Sequence, residues 1–333
     1  MKDAPLAISF DPTCNMRFAA TSWGQDIVIV EVSNDLKGLT EHFRVEFGTK
    51  IMSCCWLTAG LILCGGINCL YEVRLLPGKS PQVMTHQSEF IFDNIIPWRI
   101  NDELNAILIP MEEDFIIIAQ STNDQLGQKI NYKVGESIVS ADLSYGYLAL
   151  LFKEQRYCIL DLENLNTNKL PECKYIFKDK PQFNRKNDLV CGLILDFKNC
   201  SAVGQHQSGS LTFMHLMDKH LNQGQKTYEL VPKYIEYPFT DGAMVKDVCC
   251  IEFSKSSDNP TICMVMSHTG ELVAYSCPKF EKMKNRLFCG GETSIFKISN
   301  DSTFMVVGLG YDWNIGVHGL KIQYRNGVKI MLL

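Results

Sequence analysis

Ala19-Ala20-Thr21-Ser22-Trp23-Gly24-Gln25-Asp26-Ile27-Val28-Ile29-Val30-Glu31-Val32 reads as a strand ending in small residues, a tight turn, and an apolar strand that closes around an acid. The closing pattern returns as Tyr71-Glu72-Val73 and as Leu160-Asp161-Leu162. The first two acids are 41 residues apart, and the third lies 89 further on, about two more periods. Self-similarity at roughly 40–45 residues is the signature of four-stranded blades around an axis. The sequence therefore predicts an all-β, seven-bladed WD-type β-propeller occupying residues 1–333 as one unit.

The turns repeat as well. Gly65-Gly66 precedes residues 68–73, Gln207-Ser208-Gly209 precedes 211–216, and Thr269-Gly270-Glu271 precedes 272–277. Hairpin turns need positive φ, which glycine adopts without a Cβ clash. The strands before them end in small residues (Cys64-Gly65, Ala202-Val203-Gly204), which suits the crowded inner part of a blade. Seven units start near Leu6, Ile51, Asn94, Ile138, Leu189, Val248 and Ser294, and the strand at each start is expected innermost or next to it. Unit three is the least regular, because Met111-Glu112-Glu113-Asp114 replaces the small-residue turn. The long connections 218–247 and 278–292 read as loops or outer strands on one rim. Two closures of the ring are open. Either 321–324 pairs with 328–333 across Asn326-Gly327, or the N-terminal stretch supplies the last outer strand.

The bulk composition agrees with one large β unit. A chain of 333 residues that is 46% hydrophobic has ample material for a core. The longest apolar stretches, 115–119 and 304–310, are too short to span a bilayer, and Met1-Lys2-Asp3-Ala4-Pro5 lacks an apolar signal core. A cytosolic or nuclear protein without membrane insertion is expected. Cys54, Cys55, Cys64, Cys69, Cys158, Cys191, Cys249, Cys250 and Cys263 sit inside apolar strands and no C-x-x-C pair occurs. Reduced core thiols are expected rather than disulfides or zinc. The net charge of −5 counts against a general nucleic-acid coat, which needs a basic face.

No catalytic constellation emerges. Gly308-Leu309-Gly310 has no helix after it, His215 and His220 lack zinc-ligand context, and Ser208-Gly209-Ser210 is a plain hairpin turn. Glu112-Glu113-Asp114 has the acids to hold a cation, but the favoured reading is a solvated loop. No enzyme, metal or cofactor is expected. Two basic clusters stand out: Lys279, Lys282, Lys284 and Arg286, and Lys178, Lys180, Arg185 and Lys186. Each is either a solubilising surface or a rim for an acidic peptide or a phosphate backbone. Of the tryptophans, Trp56 and Trp98 follow apolar strands and read as core. Trp23 and Trp313 sit at turn tips, where an aromatic side chain can anchor a partner.

Several stretches resemble the WD-repeat family of mRNA-export factors and mitotic-checkpoint adaptors. Ile8-Ser9-Phe10-Asp11-Pro12 leading to Ser22-Trp23 is similar to its opening blade. Residues 140–143 through 160–164 resemble the fourth blade of the export branch, and 202–204 through 209–211 the fifth. Gly310-Tyr311-Asp312-Trp313-Asn314-Ile315-Gly316 is similar to the "YDW…G" turn of the export branch, which places Tyr311 and Trp313 among the candidate contacts. The resemblance covers nearly the whole length in short matches. It implies a propeller that binds a GLEBS peptide across its top face, from an FG nucleoporin in one branch and from mitotic kinases and kinetochore scaffolds in the other. RNA is a further partner class that the export branch implies. The chain departs from the family where Met111-Glu112-Glu113 replaces the "SWD" turn and where Ser210 replaces an arginine. Lys233 alone remains of the basic "FKCHR" run. The function expected is a non-catalytic adaptor at the nuclear pore, also present in the cytoplasm, working as a monomeric propeller within a complex. A spindle-checkpoint adaptor and a generic propeller scaffold are the alternatives.

Overall fold

The computed structural model describes residues 3–100, 103–122, 125–162, 174–175, 188–220, 226–241, 244–245, 248–254, 261–283, 287–310 and 327–333. Its first sheet is a four-stranded meander of β1 (Pro5–Asp11), β2 (Cys14–Ser22), β3 (Asp26–Val32) and β4 (Leu39–Glu46). Units two and three share one sheet of β5 (Ile51–Thr58), β6 (Leu61–Arg74), β7 (Gln82–Ile100), β8 (Glu103–Pro110), β9 (Phe115–Thr122) and β10 (Gln125–Lys133). Two of these elements serve twice. β6 folds back on itself: Leu75 N–H donates to Gly60 O at 2.8 Å, with Asn68 at φ 58° in the bend. β7 pairs with β6 over 82–91 and with β8 over 92–100, so it is the outer strand of unit two and the inner strand of unit three.

Unit four holds β11 (Ile138–Ser144), β12 (Tyr147–Phe152), β13 (Arg156–Asp161) and β14 (Lys174–Tyr175). Unit five holds β15 (Val190–Asp196), β16 (Ser201–His206), β17 (Leu211–His220) and β18 (Lys226–Glu236), followed by the small ribbon β19 (Thr240–Asp241) and β20 (Met244–Val245). In unit six β21 (Val248–Phe253), β22 (Ile262–Ser267) and β23 (Glu271–Ser276) are flanked by β24 (Glu281–Lys282) and β25 (Leu287–Phe288), both paired with β23. Unit seven is β26 (Thr293–Ile298), β27 (Phe304–Leu309) and β28 (Gly327–Leu332).

The innermost strands β1, β5, 92–100 of β7, β11, β15, β21 and β26 each lie beside the next, and β26 lies beside β1. Side chains of one inner strand bond the backbone of the following one. Ser9 Oγ accepts from Trp56 N–H at 2.8 Å, and Ser140, Asp142 and Ser144 accept in turn from the N–H groups of Leu193, Leu195 and Phe197. Ser294 Oγ donates to Pro5 O at 2.7 Å across the closure. The apolar clusters sit between successive units. Ile27 and Ile29 pack against unit two, whereas Val28 and Val30 pack against Phe304 and Val306 of unit seven. Because both faces of such a strand are buried, it reads as a continuous apolar run rather than an alternating one. Among the described residues there are seven units, consistent with the seven blades expected.

In units one to six a left-handed residue recurs in the turn between the second and third strands: Gln25 (φ 64°), Asn68 (58°), Glu112 (61°), Gln155 (62°), Gly209 (80°) and Gly270 (84°). The first four are spaced by 43, 44 and 43 residues, the period the sequence announces. One detail differs from the sequence reading. The turn of unit two falls on Ile67-Asn68, and Gly65-Gly66 lie within the strand. Gly65 is needed there for close approach, since a Cβ would stand 2.4 Å from Phe92 O and 2.5 Å from Ser53 Oγ. The N-terminal stretch forms the inner strand of unit one, and no described strand from it pairs with β28. The proposed 321–324 partner lies outside the described residues.

The described cysteines form no disulfide among themselves. Burial pushes the Cys54 thiol up to about 12 and those of Cys64 and Cys263 well above the usual range, whereas Cys200 is exposed. Thiolate is the reactive form. Iodoacetamide at pH 8 is therefore expected to label Cys200 in the folded chain and to reach Cys54, Cys64 and Cys263 only after denaturation. Peptide mapping checks this, and early labelling of Cys54 would contradict the buried assignment.

Candidate docking face

In each antiparallel unit the inner strand starts at the same end as the turn between the second and third strands. These starts and turns together form one face of the ring, here termed the upper face. Trp23 is on it. Ser22 Oγ donates to Asp26 and accepts from Gly24 N–H at 3.1 Å, Arg44 pairs with the same Asp26, and Trp23 N–H donates to Ala4 O at 3.1 Å. The turn is thus fixed from both sides, and the Lys50 ammonium lies 2.9 Å from the centroid of the partly buried Trp23 ring. A cation over an indole face is a cation–π pair.

A groove opens on the same face across units three, four and five, with a volume of about 290 Å³. Its walls are turns and inner-strand starts. Ser137 Oγ donates to Glu112 O at 2.9 Å, and Ile138 N–H donates to Glu113 O at 3.2 Å. The Gln155 amide bonds both backbone groups of Val190, at 3.1 and 2.6 Å. Asp188 accepts from the backbone N–H and hydroxyl of Ser208 and from Ser210 Oγ, and it lies 3.6 Å from His206 Nδ1. His206 Nε2 is in turn 2.7 Å from Thr212 Oγ1, and burial lowers its pKa. These bonds hold the chain that presents Leu189. Met111, Val139 and Leu189 are each about two-fifths exposed along the groove, and Asp93 stands among them. Burial raises the Asp93 carboxyl to about 6 against the opposing pull of the Asp93 and Asn94 N–H groups, and its Oδ1 is buried without a hydrogen-bond partner.

At the opposite mouth of the axis a second cavity of about 360 Å³ is lined by Asp142, Asp196, Glu252 and Lys297. Each acid is already engaged: Asp142 by Leu195 N–H, Asp196 by Asn199, and Glu252 by Ile298 N–H and the Lys297 ammonium. Burial works to lower the Lys297 pKa, but the Glu252 carboxylate outweighs it and the ammonium is stabilised. No group of three or more His, Cys, Asp or Glu suited to a metal occurs among the described residues. No described helix is long and apolar enough to cross a membrane.

The residues singled out in the sequence are not gathered in one place. Lys279 and Lys282 follow the third strand of unit six, at the end of that sheet opposite the Trp23-type turns. Lys282 bridges to unit five, at 3.1 Å from Glu236 Oε1 and 3.0 Å from Pro238 O. Lys233 is exposed on the outermost strand of unit five. Tyr311, Trp313, Lys284, Arg286 and the cluster Lys178, Lys180, Arg185 and Lys186 lie outside the described residues. Trp56 and Trp98 are buried, as expected. The groove was not anticipated, since Asp93, Val139 and Leu189 are contributed by three units with no shared local motif.

The chain matches no protein-family model and no curated protein. Among solved structures it is similar to the β-propeller domain of Myceliophteria thermophila Cps50 (Swd1), with a TM-score of 0.65 at 11% identity, covering 92% of this chain and 93% of that one. At that identity the likeness establishes the β-propeller fold and nothing beyond it.

Proposed function

We propose that this chain is a docking adaptor whose upper face receives a peptide segment of a protein partner, and that it acts at the nuclear pore in mRNA export by binding a GLEBS-like peptide of an FG nucleoporin. The observation that carries the docking reading is the Trp23–Lys50 pair, held at a rigid turn on the upper face. An aromatic face with an adjacent ammonium suits a peptide that presents acids beside apolar side chains. The nuclear-pore assignment is motivated by the resemblance at Ser22-Trp23 and Gly310-Tyr311-Asp312-Trp313. Nucleus and nuclear envelope, with a cytoplasmic fraction, are the locations that go with it.

The test is affinity capture from the source cell with mass spectrometry, comparing wild type with Trp23→Ala. An FG nucleoporin recovered by wild type and reduced at least tenfold by the substitution is the expected result. Mitotic kinases or kinetochore scaffolds in its place would transfer the assignment to the checkpoint branch. Equal recovery by both proteins would remove Trp23 from the site.

A further inference from the structure

The upper-face groove of units three to five carries chemistry of its own, opposite in sign to that at Trp23. Three apolar side chains from separate turns and strand starts, Met111, Val139 and Leu189, remain exposed around a single opening. Isolated exposed apolar residues are ordinary, but a contiguous set around a concavity marks an interaction site. At about 290 Å³ the opening lies at the small end of ligand pockets, a size suited to one or two inserted side chains.

Its charged lining is two acids, Asp93 and Glu112, and one cation, Lys153. The Asp93 carboxyl meets the Asp93 and Asn94 N–H groups, but its buried Oδ1 has no hydrogen-bond partner, and Glu112 lines the same groove. Lys153 is exposed at the groove, and the Cys191 thiol is pushed up by burial and stays neutral. A buried acceptor without a donor is unfavourable, and a charged donor satisfies a carboxylate better than a neutral one. A cation arriving on an apolar stem would meet both demands, because the stems of lysine and arginine pack along apolar surface.

We propose that this groove is a second docking site, taking a partner segment that inserts one lysine or arginine flanked by apolar side chains and seats the cation against Asp93. The site rests on the docking reading only in placing partners on the upper face. Its chemistry is independent of Trp23, which stands in unit one.

A random heptapeptide library displayed on phage, selected against the immobilised full chain, tests the proposal. Wild type is expected to enrich peptides with one Lys or Arg between apolar residues. A synthetic peptide of the enriched sequence should bind at least tenfold more weakly to Asp93→Asn, and more weakly again when its basic residue is replaced by glutamine. Leu189→Ser, at an exposed position that leaves the fold in place, should weaken the same peptide severalfold. Thermal unfolding of both variants confirms that they are folded. Selection of acidic peptides, enrichment without a basic residue, absence of enrichment by the folded wild type, or equal binding by Asp93→Asn would each overturn the proposal. A failure here leaves Trp23-dependent capture untouched. A failure of that capture with the groove selection intact would sink the nuclear-pore reading alone.

Discussion

Gly270→Ala is expected to destabilise the chain by about 3 kcal/mol, combining the left-handed backbone penalty with a steric clash. Gly270 has φ 84° in the turn between β22 and β23, and an added Cβ would stand 2.2 Å from Gly291 O. The turn is tied on both sides. Gly270 N–H donates to Ser267 O at 3.0 Å, and Gly270 O accepts from Cys289 N–H at 2.8 Å. Gly78 is the control, with φ 69° but nothing within 4 Å of its would-be Cβ. Gly78→Ala should therefore show the backbone penalty alone, about 1 kcal/mol. Urea unfolding of both variants separates the two terms, and equal losses would mean that the turn does not press on 289–291 as described.

Trp56→Ala is the second large effect, about 4 kcal/mol from lost burial plus the cavity left behind. Trp56 is 1% exposed in the cluster between units one and two, and the Arg17 guanidinium lies 5.0 Å from its ring centroid. Its indole nitrogen is buried with no hydrogen-bond partner. Trp56→Phe deletes that unsatisfied donor while keeping most of the volume, and its loss should stay below about 2 kcal/mol. Thermal and urea unfolding of the pair read this out. A Phe variant as unstable as the Ala variant would show that the indole's shape, rather than its burial, sets the packing.

Much of the architecture was legible because a repeated physical demand leaves a repeated mark. Strands buried on both faces must be apolar throughout, as 27–30 and 148–151 are, and each second turn must place one residue in the left-handed region. The acid at the end of the third strand also has a structural use. Glu72 is buried and pairs with Arg74 at 3.0 Å and His86 at 2.5 Å, and Glu31 pairs with His42 at 2.7 Å, each histidine lying on the outer strand. What escaped was set by contacts between units. β7 continues from one unit into the next, and Gly65 is glycine because of Ser53 on the neighbouring strand and Phe92, on the inner strand of unit three. Lys282 looks like part of a basic rim in sequence, yet its partners Glu236 and Pro238 belong to the previous unit. Asp93 shows no local signal, since the groove it lines forms only where three units meet.

Lysine-directed cross-linking of the captured complex, followed by mass spectrometry, tests most directly whether partners dock on the upper face. Lys50 and Lys153 report on that face, whereas Lys198, at the opposite mouth of the axis, and Lys279 report away from it. The account predicts partner cross-links concentrated at Lys50 and Lys153. Cross-links confined to Lys198 and Lys279 would contradict it.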